Sequence, residues 1–82
     1  MTETRQIIIY GTNWCGDCRR SKSFLDRNHI AYQWIDLEKD AKAIEHVMKL
    51  NNGMRSVPTI VFPDGAVLVE PSDAELGKKL GI

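Results

Sequence analysis

The sequence predicts an α/β sandwich, one sheet with helices on its faces, in the order β-α-β-α-β-β-α. Three observations predict it. The run Ile7-Ile8-Ile9-Tyr10 is apolar without a break and suits a strand covered on both faces. The segment Ala31 to Leu37 alternates Tyr32, Trp34 and Asp36 against Gln33, Ile35 and Leu37, the period of a second strand. Two short apolar runs, Thr59-Ile60-Val61-Phe62 and Val67-Leu68-Val69, flank Pro63-Asp64-Gly65 and read as a hairpin. The 82 residues leave room for one domain, residues 1–82, because a chain this short buries only roughly 60% of its unfolded surface.

The elements follow in order. The first strand spans Gln6 to Tyr10 and ends at Gly11-Thr12-Asn13. Cys15 to Asn28 favours helix, with Cys18, Lys22 and Leu25 on one side, Phe24 adjoining and Asn28 as the stop. Asp40 is an N-cap for a helix carrying Ala41, Ile44, Val47 and Met48 at helical spacing, closed by Asn51-Asn52-Gly53. Ser72 caps the last helix and Glu75, three residues on, completes a capping box. Leu76 and Leu80 give that helix a thin apolar stripe before Gly81. Trp34, Tyr32 and Phe24 are assigned to the core, and Met48 and Met54 receive no special role.

Composition narrows the function. Apolar residues make up 43% and charged residues 27%, the balance of a folded globular chain rather than a disordered one. Eleven basic residues cancel eleven acidic ones, so no whole-protein field gathers phosphate or anionic lipid, which argues against nucleic-acid and membrane partners. The start MTETRQIIIYG is too short in its apolar run for a secretory signal, and no stretch reaches the ~20 apolar residues of a membrane span. A cytoplasmic monomer is expected.

The chain has two cysteines, Cys15 and Cys18. As a staple they would close too short a loop to stabilise much. In a reducing compartment such a pair points to redox chemistry or to a metal. The metal reading lacks its other half, because His29 and His46 are 17 positions apart and fit ordinary helix-end and helix-face roles. No metal is therefore assigned. Trp14-Cys15-Gly16-Asp17-Cys18 lies where a strand hands over to a helix. Cys15 at the helix N-terminus meets unpaired N–H groups and the positive end of the macrodipole, which should favour its thiolate below the free value of about 8.5. Cys15 is expected to be the nucleophile. Cys18, on the same helix face, is expected to resolve a mixed disulfide formed there.

These motifs resemble the thioredoxin superfamily in its smallest, glutaredoxin-like form, over nearly the whole chain. Within that group the chain is similar to the mycoredoxins in Trp14-Cys15-Gly16-Asp17-Cys18, Asn52-Gly53-Met54-Arg55-Ser56-Val57-Pro58-Thr59, Asp64-Gly65 and Glu70-Pro71-Ser72. The resemblance implies a thioredoxin-like fold with a four-stranded mixed sheet and three helices. It also implies that Pro58 is cis beside the cysteines, and that Val57 offers its backbone N–H and C=O to an extended thiol substrate. Arg55 and the start of the last helix, Ser72 and Asp73, would meet the substrate's carboxylates. Taken from the residues alone, an exposed arginine and an ordinary helix cap explain them equally well. Trp14 would wall the thiol. Asp17 either selects a partner or is a solvated acid at a helix start, with Arg19 and Arg20 offsetting its charge.

Two departures from the family pattern bear on the substrate. Glutathione-using glutaredoxins commonly carry a lysine three before the first cysteine and a Gly-Gly pair before the last helix, where this chain has Thr12 and Glu70-Pro71. The expectation is a disulfide reductase acting on disulfide-containing or thiolated proteins. It would bind no cofactor and be recharged by a low-molecular-weight thiol of the mycothiol or glutathione type. Two alternatives stay open: recharging by thioredoxin reductase, and a non-enzymatic iron-sulfur carrier that uses Cys15 across a dimer.

Overall fold

A computed structural model describes residues 6–82. The elements are β1 (Ile7–Gly11), α1 (Gly16–Arg27), β2 (Tyr32–Asp36), a 3₁₀ turn (Leu37–Lys39), α2 (Ala41–Leu50), β3 (Thr59–Val61), β4 (Val67–Val69) and α3 (Asp73–Leu80). The sheet order is β2-β1-β3-β4. β1 pairs parallel with β2, while β3 is antiparallel to both β1 and β4. The four-stranded mixed sheet with three helices is the architecture that the sequence implies.

β1 organises both cores because successive side chains of a strand point to opposite faces. Ile7 and Ile9 pack with Leu25 of α1, Leu76 of α3, Ile60 and Phe62. Tyr10 faces the other way, with Ala43 and Val47 of α2 and with Leu37. α1 and α3 therefore cover one face and α2 the other. β2 divides the same way, Tyr32 and Trp34 joining the first core and Ile35 the second. Each fully buried Ile, Leu or Val adds about 1.5–3 kcal/mol of transfer free energy, so a single strand anchors much of the stabilisation.

The ends of the elements follow local chemistry. Asp40 Oδ1 accepts the Ala43 N–H at 3.1 Å and caps α2. Ser72 and Glu75 form the expected capping box, with reciprocal bonds of 3.1 and 2.8 Å. In the hairpin, Gly65 adopts a φ of 91°, open to glycine at no steric cost, and the Phe62 N–H donates to the Ala66 carbonyl at 2.9 Å.

Most element bounds shift by a residue at one end or both from those expected, and three differences matter for the site and the core. Gly11 is the last residue of β1 rather than the start of the turn, because it pairs with Asp36. The buried stripe of α2 is Ala43 and Val47, flanked by Ile44 and Met48, whereas Ala41 is exposed in the first turn. Leu37 leaves the second strand for a 3₁₀ turn, which the Asp36 carboxylate caps through the Glu38 N–H at 2.9 Å.

Gly11 is required by close approach. A Cβ there would stand 2.5 Å from Cys18 Sγ and 2.8 Å from the Trp34 ring, whereas one on Gly16 would meet nothing within 4 Å. Gly11→Ala should lower stability by about 1–3 kcal/mol, the usual cost of overpacking, and Gly16→Ala should be neutral or slightly stabilising. Thermal melts of the two variants, read side by side, check the contrast.

Candidate active site

The site is built where β1 ends and α1 begins. The Cys15 N–H donates to the Thr12 carbonyl at 3.4 Å, closing the connecting turn. Cys15 then serves as the N-cap of α1, its Sγ accepting the Cys18 N–H at 3.0 Å. A backbone donor and the positive helix end thus converge on one sulfur, an arrangement that accommodates negative charge. Cys15 is 8% exposed and Cys18 is fully enclosed, and both are free thiols. Only the first sulfur borders solvent.

Val57 and Pro58 are brought against this sulfur from 42 residues away. The Cys15 thiol lies 3.8 Å from the Val57 carbonyl oxygen as a donor. The Val57–Pro58 peptide is cis and Pro58 is buried. Beside the sulfur runs a groove of about 350 Å³ lined by Thr12, Trp14, Leu37, Arg55 and Val57. Trp14 is 67% exposed and stands as a wall. Its indole N–H donates to the Glu38 carboxylate at 3.0 Å, which fixes the ring and presents its apolar surface. Asn13 adds a 3.3 Å bond to Asp36, tying the same loop to the end of β2.

Burial pushes the Cys18 thiol up to about 12, helped by its hydrogen bond with Cys15 and by the negative charge available at Cys15 and Asp17; the Thr12 backbone acts in the opposite sense. Gly11 packs between this sulfur and the Trp34 ring of β2, and that ring carries the Lys22 ammonium 4.0 Å from its centre.

The remaining residues expected at the site are engaged elsewhere. Asp17 pairs with Arg20 at 3.1 Å, so Arg20 supplies the offsetting charge. Arg20 also reaches the Pro71 carbonyl at 3.3 Å and the Asp73 carboxylate at 3.8 Å, and Arg27 approaches Asp73 at 3.7 Å. Ser72 is occupied by its capping box. Ser72 and Asp73 do not line the groove, whereas Trp14, Arg55 and Val57 do. Glu38 escaped the sequence reading because its partner is 24 residues away across a 3₁₀ turn that periodicity does not show. Among the described residues no group of three or more His, Cys, Asp or Glu side chains is placed to hold a metal ion.

A two-cysteine helix start facing a Val-Pro loop on a four-stranded mixed sheet defines a thiol-redox protein of the thioredoxin-like class. The glutaredoxin family model matches residues 7–67, and the chain belongs to the glutaredoxin family. It is 46% identical over 77 residues to a Mycobacterium tuberculosis protein assigned to the glutaredoxins, covering 94% of this chain and 92% of that one. It is 38% identical over 74 residues to Mycoredoxin 1 of Corynebacterium glutamicum, covering 90% and 91%. Among solved structures, the thioredoxin-like protein BC3987 matches with a TM-score of 0.78 at 32% identity, over 89% of this chain and 97% of that one. The glutaredoxin of Archaeoglobus fulgidus matches with a TM-score of 0.80 at 26% identity, over 94% and 87%.

The raised Cys18 thiol has a consequence for stability. The folded state keeps its proton where the unfolded chain, titrating near about 8.5, loses it. The stability that depends on neutral Cys18 is therefore complete below about pH 8.5 and declines as pH rises toward 12. Under reducing conditions, Cys18→Ala should lose less melting temperature than the unsubstituted protein between about pH 8 and 10. Parallel falls in the two proteins would remove Cys18 as the source.

Proposed function

We propose that this protein is a thiol-disulfide oxidoreductase that reduces protein disulfides, or mixed disulfides between a protein and a small thiol, through Cys15 and Cys18. The observation that carries the reading is the Cys15 sulfur at the head of α1, bonded by the Cys18 N–H and 3.8 Å from the carbonyl oxygen of Val57, a residue that lines the groove. The thiolate of Cys15 attacks one sulfur of the substrate disulfide. The second sulfur leaves with the bonding electron pair and takes up a proton. Cys15 is then a mixed disulfide, which either Cys18 or a second small thiol resolves.

Trp14 and Arg55 line the groove in which the substrate's thiol-bearing segment lies, and Val57 offers main-chain hydrogen bonds to it. Ser72, Asp73 and Asp17 contribute at most the edge of that surface, since Ser72 serves the capping box and the two carboxylates form ion pairs with Arg20. The reductant is a low-molecular-weight thiol. Similarity to Mycoredoxin 1 favours the mycothiol type. Thr12 and Glu70-Pro71, standing in place of a lysine and a Gly-Gly pair, weigh against a site built for glutathione. The protein acts as a monomer in the cytoplasm.

Substitution separates the two sulfurs. Cys15→Ser should abolish reduction of a mixed-disulfide substrate, by at least about a hundredfold, because no other thiolate reaches the groove. Cys18→Ser should remove reduction of protein disulfides and leave the route in which a small thiol resolves Cys15. A Cys15→Ser protein with full activity would refute the mechanism. The reductant is identified by rates with mycothiol, glutathione, bacillithiol and thioredoxin reductase against one mixed-disulfide substrate. Turnover with thioredoxin reductase and NADPH alone would replace the small thiol in this scheme.

A further inference from the structure

Among the described residues, the non-glycine positions with a positive φ are His29, Asn52 and Glu70. Histidine and asparagine enter the left-handed region readily, whereas glutamate at a φ of 49° is strained and glycine would take that conformation freely. Strain of this kind persists where surrounding contacts fix the backbone, and it collects at functional sites. Glu70 lies between β4 and α3. Its N–H donates to the Pro58 carbonyl at 2.8 Å, the following Pro71 is fully buried, and the Pro71 carbonyl accepts from Arg20 at 3.3 Å. The backbone is thus held from both sides while the side chain is exposed. These contacts bring Glu70 to the site, because Pro58 follows Val57, whose carbonyl oxygen lies 3.8 Å from Cys15 Sγ. Arg55, two residues before Val57, is exposed and lines the groove. The acids nearby in the chain or on α1 are engaged: Asp17 and Asp73 pair with Arg20, and Glu75 accepts from the Ser72 N–H. Neither Arg55 nor Glu70 forms an ion pair with another described residue. One end of Val57–Pro58 therefore leads back to an uncompensated cation, and the other is bonded to the backbone of an uncompensated anion.

We propose that Arg55 and Glu70 are specificity-determining charges for protein substrates, selecting an extended segment whose reactive cysteine has an acidic side chain on one flank and a basic one on the other. The inference rests on the oxidoreductase reading above. An extended chain advances about 3.3 Å per residue, so residues on both flanks of one cysteine reach past the Val57–Pro58 dipeptide. A segment bonded to Cys15 and lying along Val57 passes both charges, and exposed charges act over about 8 Å at physiological ionic strength. Opposite charges brought face to face speed encounter and fix register, while the reversed order sets like charges against each other. The strained backbone at Glu70 is the cost of keeping a carboxylate where glycine would fit better.

Short peptides with a central cysteine, activated as mixed disulfides with thionitrobenzoate, test the pair. Cys15 attacks the peptide sulfur and forms a disulfide with it as the peptide–thionitrobenzoate bond breaks. The released thionitrobenzoate carries away the electron pair and is followed in a stopped-flow instrument. One peptide carries Asp before the cysteine and Lys after it, and a second carries the reverse order. At low salt one order should react about threefold to tenfold faster, and the ratio should shrink toward one at high salt. Because both peptides meet the same protein, the ratio is independent of any general loss of activity in a variant. Glu70→Gln should reduce it, and the double variant Arg55→Glu, Glu70→Lys should invert it. Glu70→Gly, which removes the charge and suits the φ, should reduce the ratio and raise the melting temperature. Equal rates for the two orders in the unsubstituted protein, or a preference that survives the double charge swap, overturns the proposal. No release of thionitrobenzoate from either peptide, or release at the full rate in Cys15→Ser, would instead defeat the oxidoreductase reading.

Discussion

β1 allows the rest of the molecule very little freedom. Its five residues pair with strands on both sides, feed Ile7 and Ile9 into one core and Tyr10 into the other, and end at Gly11 against Cys18. The cysteines are delivered by the segment that leaves this strand, so the position of Cys15 is set by packing on both faces at once. Interiors at crystal-like density transmit small displacements rather than absorb them. The precision of the site is therefore a property of the central strand, and the short loop of Thr12 to Trp14 only completes it.

Around that anchor the site divides into two environments. Cys15 meets the main-chain carbonyl of Val57, which with the exposed Trp14 lines a groove. Cys18 is enclosed by Gly11 and by its own helix, and burial holds it protonated. Two thiols three residues apart thus differ in access because one caps the helix and the other lies inside its first turn. The proposed division of labour between an attacking and a resolving sulfur rests on that difference.

What the sequence made legible is local chemistry. The Cys15-x-x-Cys18 pair, the Asp64-Gly65 turn, the Asp40 cap and the Ser72–Glu75 box all involve residues within a few positions of each other, and all of them appear in the fold. The misplaced parts depend on distant partners. Gly11 looks like a turn residue until Asp36 pairs with it, and Glu38 looks like a solvated acid until the 3₁₀ turn carries it to Trp14. Ser72 carries a conflict between two roles. A serine whose hydroxyl oxygen accepts and whose N–H donates within a capping box keeps only its hydroxyl proton for a ligand. Asp17 and Asp73 are linked through Arg20, which is visible only once α1 and α3 share a face.

The cap on α1 is made by the same atom that is proposed to react. Cys15 Sγ accepts the Cys18 N–H, so every covalent change at that sulfur alters the acceptor that holds the first turn of the helix. A thiolate accepts that bond more strongly than a sulfur in a disulfide. Redox state and helix-end stability are consequently linked quantities in the thermodynamic sense. The equilibrium that sets how readily Cys15 is oxidised includes the free energy of fraying at Gly16 to Cys18, and whatever stabilises that turn in one redox form shifts the reduction potential by the same amount.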